Sequence, residues 1–182
     1  MLKKIFKVIG ILTLVVIGII LLLLAFVWGS IEWNRYAKKK EAIRYQKEVC
    51  DTMKTVDRKF EFTIDGFNKK EIKQVHFYLQ QDKLIIKDSI VKVDIKPEND
   101  YQTVLLPFEK FRTTDRIIVN VGNRYFVLSG LNYRAQYKYG MLGPVGSCEC
   151  EMAGFETLNG EPAGSGWLIK KYGLLNYQLP PG

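Results

Sequence analysis

The chain holds a single histidine, His76, in 182 residues. Any mechanism that needs two imidazoles is therefore excluded. Cysteine is scarce too: Cys50, Cys148 and Cys150 are too few for a disulfide-stapled scaffold, and they lack the CxxC and HxxxH spacings that make a zinc site specific. There is no GxxxxGKS/T phosphate loop, and the glycines between Gly140 and Gly146 stand in no strand-to-helix context that would suit a dinucleotide loop. No asparagine begins an Asn-x-Ser/Thr sequon, and neither an internal repeat nor a low-complexity segment is present. From these absences no metal, no cofactor and no catalytic constellation are expected.

What the sequence does have is one uninterrupted apolar block. Val8 to Trp28 are 21 residues without a charge, Thr13 being the conspicuous polar side chain. At about 1.5 Å per residue a helix of that length covers roughly 30 Å, the thickness of a bilayer's hydrocarbon layer. A helix inside a small soluble domain needs a polar face, which this segment lacks, and the apolar core of a cleaved signal peptide is shorter. The block predicts an uncleaved transmembrane anchor, with Trp28, Trp33 and Tyr36 at headgroup depth where it leaves the lipid.

The net charge of +8 gathers around that anchor, at Lys3, Lys4 and Lys7 before it and at Arg35, Lys38, Lys39, Lys40 and Arg44 after it. Cations placed there gain roughly 1 kcal/mol each from anionic lipid, so a bilayer rather than a nucleic acid is the expected partner. The flanks are nearly balanced. A short basic tail before a long apolar run favours the N-terminus inside and the C-terminal domain outside the plasma or inner membrane, in the periplasm of a bacterial cell; a cytoplasmic domain is the alternative.

Four regions follow: a basic tail over 1–7, the anchor over 8–28, a charged helical stalk over 29–57, and a small β domain with an irregular end over 58–182. In the last, apolar residues recur at every second position: Phe60, Phe62 and Ile64; Val75, Phe77 and Leu79; Val91, Val93 and Ile95. This is the period of half-buried strands. Asp115–Val121 and Arg124–Ser129 flank Gly122-Asn123, a pair suited to a tight primed hairpin turn. Cys148–Met152 reads as another short strand, Asn159–Gly166 as turn, and Trp167–Tyr172 as a last strand or short helix. The expected fold class is mainly β, an antiparallel sandwich of immunoglobulin-like or transthyretin-like shape, with a partly open barrel as the runner-up.

Candidate sites are sparse. Reduced thiols with only a packing role are the first expectation for the cysteines; in an oxidising compartment Cys50 has Cys148 and Cys150 as alternative disulfide partners, leaving one thiol over. His76 lies in the polar half of its strand with no acid or nucleophile implied by spacing. Tyr133, Tyr137 and Tyr139 alternate with Arg134 and Lys138, a composition that suits a protein interface and equally a half-buried sheet face. The expected function is non-enzymatic: a membrane-tethered β domain that binds a protein in the cell envelope, as an accessory subunit of an envelope or secretion assembly or as an immunity protein against a toxin. A tethered enzyme using Cys148, Cys150 or His76, and a purely architectural spacer, are the alternatives. The sequence does not give the oligomeric state.

Overall fold

The first element is a single helix, α1, over Leu2–Glu48. A computed structural model describes residues 2–95, 101–163 and 166–182, with the helix side chains described at Lys7 and from Ile9 onward. α1 is long and apolar enough to cross a membrane, and from Ile9 to Trp28 its side chains have no protein around them. The hydroxyl of Thr13 donates to the Ile9 carbonyl at 2.9 Å, so the most polar group of the apolar run is satisfied within the helix. The helix ends at Glu48, earlier than the stalk expected through Asp57. A short 3-10 turn, Cys50–Thr52, follows, then a two-residue strand β1, Thr55–Val56. The apolar side chains at the end of the expected stalk, Cys50 and Val56, are buried.

The chain divides into two compact units, residues 1–47 with 135–149, and residues 48–134 with 150–182. The second contains most of the strands: β2 Glu61–Asp65, β3 Gln74–Gln81, β4 Leu84–Lys92, β5 Gln102–Leu105, β6 Phe111–Arg112 and β7 Arg116–Val121. Two long strands, β8 Arg124–Gly140 and β9 Gly143–Leu158, run through both units; β10 Glu161–Pro162 and β11 Trp167–Ile169 complete the set. One sheet has the order β10-β9-β8-β7-β3-β4, a second β11-β2-β5, and β1 pairs with β6. The larger sheets have open ends, giving a sandwich-like rather than a closed-barrel arrangement.

Pairing is antiparallel apart from β11 and β2, which run parallel with Leu168 opposite Ile64. A strand returning from the far end of the chain has no short hairpin to fix its direction, so this one parallel pair joins an otherwise antiparallel arrangement. The hairpin between β7 and β8 turns at Gly122-Asn123 with Val121 opposite Arg124. Gly122 takes φ +58° while Asn123 stays out of the left-handed region, the pattern of a type II′ turn.

The core of the second unit lies between the two larger sheets. Phe62 of β2 is fully buried, 6.1 Å from Phe77 of β3 and 6.0 Å from Phe155 of β9, ring centre to ring centre; Phe60 meets Phe62 and Phe155 edge-on. The opposite face of the six-stranded sheet is covered by the chain's end. Leu174 pairs with Tyr125 through two backbone hydrogen bonds, Tyr177 packs on Tyr125, and the Pro181 carbonyl accepts from the Ile85 amide at 3.0 Å. Ile118 on that face is thereby fully buried.

Candidate functional surface

In the first unit the distal parts of β8 and β9 form a two-stranded arm against α1. The Ala135 amide donates to Gln46 Oε1 at 2.7 Å, and Lys38 Nζ stands 4.6 Å from the centre of the Tyr137 ring. Gly143, at φ +129°, lies against Arg35: a Cβ there would sit 3.4 Å from both Cγ and Nε of that side chain. A Cβ at that distance from a flexible side chain would be tolerated, so it is the positive φ that favours glycine at this position. Thus the glycines expected to form a corner lie in and beside a long hairpin, whose turn is Met141-Leu142.

The arm resolves the tyrosine series by position. Tyr133 is buried in the second unit, its hydroxyl donating to the Thr55 carbonyl at 3.4 Å, and burial pushes its ionisation upward. Tyr137 is buried in the first unit. Its hydroxyl has no hydrogen bond of ordinary geometry, but burial, and next the neighbouring Glu41 carboxylate, push its ionisation well above the phenol range. Glu41 shifts the opposite way: the Tyr137 hydroxyl and then Lys38 hold it below the usual carboxylate range. Arg134, Lys138 and Tyr139 are exposed. Two of the five residues singled out as a binding face are thus packed inside their own units, leaving three for a partner.

Among the cysteines, Cys50 and Cys150 are joined by a disulfide in the second unit, with Cα atoms 5.5 Å apart, and Cys148 is the free thiol. Cys148 is buried in the first unit; that burial, and then Glu41, raise its ionisation, the reverse of what a nucleophile needs. His76 meets the Tyr78 hydroxyl through Nδ1 at 3.4 Å. Among the described residues no group of three His, Cys, Asp or Glu side chains is placed to hold a metal.

A surface that the alternation of the sequence did not reveal is the outer strand of the six-stranded sheet. β4 has β3 on one side and, among the described residues, no strand on the other. The tail's hydrogen bond to Ile85 covers only its beginning. Leu84, Ile86 and Ile90 keep about half of their surface exposed. Ile86 is the extra residue of a bulge: Gln80 faces Ile85 and Leu79 faces Lys87. Beyond it Ile90 stands opposite His76, and Asp88 opposite Tyr78. An open groove of about 490 Å³ elsewhere in the second unit, lined by Asn159, Pro162, Trp167, Ile169 and Tyr172, is mostly apolar. The Asn159 side chain there is already engaged, accepting from the Val127 amide and donating to the Tyr172 carbonyl.

Compared with known protein families, with curated proteins and with solved structures, the chain matches none.

Proposed function

We propose that this chain is a membrane-anchored, non-enzymatic adaptor of the cell envelope whose β domain captures an extended segment of another protein along β4. The observation that carries the reading is that edge: a nine-residue strand with, among the described residues, no strand on its outer side past the tail's bond to Ile85, and with three half-exposed aliphatic side chains. A sheet edge of this kind offers unpaired backbone donors and acceptors to an added strand, and its side chains supply selectivity. Lys87, Asp88 and Lys92 interrupt the aliphatic row, which discourages indiscriminate edge-to-edge pairing while leaving room for a chosen partner. An accessory subunit of an envelope or secretion assembly and a toxin-neutralising immunity protein are the two roles that fit such a strand site, since neither requires chemistry.

The anchor is α1, which in this reading crosses the plasma or inner membrane once, with the β domain on the outer side. The Cys50–Cys150 bridge supports that side, because disulfides persist in oxidising compartments and are rare in the cytosol. The packed tyrosines, the raised Cys148 ionisation and the isolated His76 give no support to the enzymatic alternative.

The test is a photo-crosslinking side chain placed at Ile86 or Ile90 of the full chain in native membranes, with the exposed loop residue Lys110 as control. A discrete heteromeric adduct at the two strand positions, absent at Lys110 and, for the probe at Ile86, lost on Ile90→Lys, is the expected result. No adduct, or one formed equally from Lys110, would remove β4 as the binding edge. An alkaline phosphatase fused after Gly182, active only outside the cytoplasm, tests the side of the membrane separately.

A further inference from the structure

We propose that the tip of the β8–β9 arm is a second membrane contact, seated in the headgroup layer of the same bilayer that α1 crosses. The inference rests on the anchor reading above and concerns only the first unit. Three contacts fix the course of the arm. Ala135 lies at the level of Gln46, Tyr137 at the level of Lys38 and Glu41, and Gly143 at the level of Arg35. As β8 leaves the sheet it therefore descends the helix by about eleven residues, roughly 16 Å. The descent is toward the apolar run, which ends at Trp28, only about 10 Å of helix beyond Arg35. The turn lies ahead of Gly143 in that direction. The headgroup region beyond each face of the hydrocarbon layer is roughly 5–8 Å deep, so the turn arrives at its outer boundary.

The chemistry of the turn suits that location and does not suit water. Turns that face water are built from Gly, Asn, Asp, Ser and Pro, whose side chains or backbone freedom serve the bend. Here Met141 and Leu142 occupy the turn itself; Met141 is fully exposed, and Leu142 and Tyr139 keep most of their surface open. Val145, on the returning strand, is half exposed. Such an exposed apolar cluster calls for an occupant. On the helix at the same height, Trp33 and Tyr36 are exposed, aromatic residues of the kind that settle at the lipid–water boundary. Arg35, which lies against Gly143 and pairs with Glu32, and Lys39 and Lys40 on the following turn of the helix, together with Lys138 on the arm, add positive charge to this unit, complementary to anionic lipid. A tyrosine, two flexible aliphatic residues and these cations make a shallow lipid-seating tip.

The experiment uses the full chain reconstituted in vesicles of phosphatidylcholine and phosphatidylglycerol in equal parts. An environment-sensitive fluorophore is attached through Met141→Cys, with buried Cys148 replaced by serine, and a second preparation carries it at Gln136→Cys, an exposed position at the upper end of the arm. Flotation is measured first. The expected result is co-flotation, blue-shifted emission at position 141 with quenching by about half from lipids brominated near the headgroup, and water-like emission at 136. In a third preparation, labelled at Val145→Cys, the pair Met141→Asp and Leu142→Asp is expected to abolish lipid quenching while flotation is unchanged. Co-flotation with a label at 141 that lipid does not quench overturns the tip contact alone, including the case where emission is blue-shifted because a protein covers the tip. A chain that does not float overturns the anchor reading and this inference together.

Discussion

Lys38 and Tyr137 meet as cation and ring at 4.6 Å, and through that contact a strand residue late in the chain is held to the helix that begins it. The ammonium over the ring face is worth about 0.5–1 kcal/mol, and burial of the ring adds more. Tyr137→Ala is expected to loosen the arm by about 3 kcal/mol, read as faster amide exchange over residues 135–149 in the full chain in detergent. Tyr137→Phe keeps the ring under Lys38 and removes only the hydroxyl beside Glu41, so most of the protection should be retained. Equal loosening by the two variants would show that the hydroxyl, not the ring, holds the arm.

Glu71 gives the second unit a dependence on acid. Lys170 Nζ lies 2.7 and 2.9 Å from its two oxygens and the Asn68 amide donates to it, so Lys170 first and Asn68 next hold its ionisation below the ordinary 4.5. A carboxylate depressed on folding contributes stability above its unfolded value and loses it as pH falls through the folded one. The melting temperature of the native chain should exceed that of Glu71→Gln at neutral pH. The difference should shrink from about pH 4.5 downward and vanish in stronger acid. A difference independent of pH would assign the effect of the substitution to packing.

The bridge between Cys50 and Cys150 closes a loop of 100 residues. Chain-entropy reasoning gives such a closure about 4–5 kcal/mol at most. Cys50→Ser should lower the urea midpoint by an amount similar to that produced by reducing the native chain, and reduction should have no further effect on the variant. Cys148, buried with a raised thiol ionisation, should take up iodoacetamide only after unfolding.

Phe62 and Ile90 are predicted to respond oppositely to truncation. Phe62→Ala removes a ring that touches Phe60, Phe77 and Phe155 in a fully enclosed site, and should cost about 3–5 kcal/mol in thermal or urea unfolding. Ile90→Ala, at an exposed edge, should change stability by less than about 0.5 kcal/mol while weakening the crosslink to a partner. A large loss of stability from Ile90→Ala would mean that this edge is structural.

The parts of the fold legible in the sequence were those whose signal is local. Twenty-one uncharged residues announced α1 without help from tertiary structure. Gly122-Asn123 between two apolar runs located a hairpin, and the alternation around Phe62 and Phe77 found β2 and β3. β4 escaped because its bulge at Ile86 adds a residue, shifting the period of two midway; the alternation of Val91, Val93 and Ile95 pointed instead to its far end, and the strand stops at Lys92. The extent of the β8–β9 arm was hidden by Gly143 and Gly146, which read as a corner. Gly143 takes φ +129° where the strand lies against Arg35, about a hundred residues away, and no window of sequence carries that contact. The tyrosine series shows the same limit: Tyr133, Tyr137 and Tyr139 share a period, yet burial separates the first two from the third because the helix covers Tyr137 while Tyr139, next to the turn, stays exposed.

The covalent link across those hundred residues has an outcome for any protease that reaches the second unit. A single cut between Asp51 and Glu149 leaves two fragments that still travel as one molecule on a non-reducing gel and part only when thiol reductant is added. The piece that carries α1 would thereby retain its distal half after nicking, and release of the second unit from α1 would require cleavage before Cys50, a second cut, or reduction.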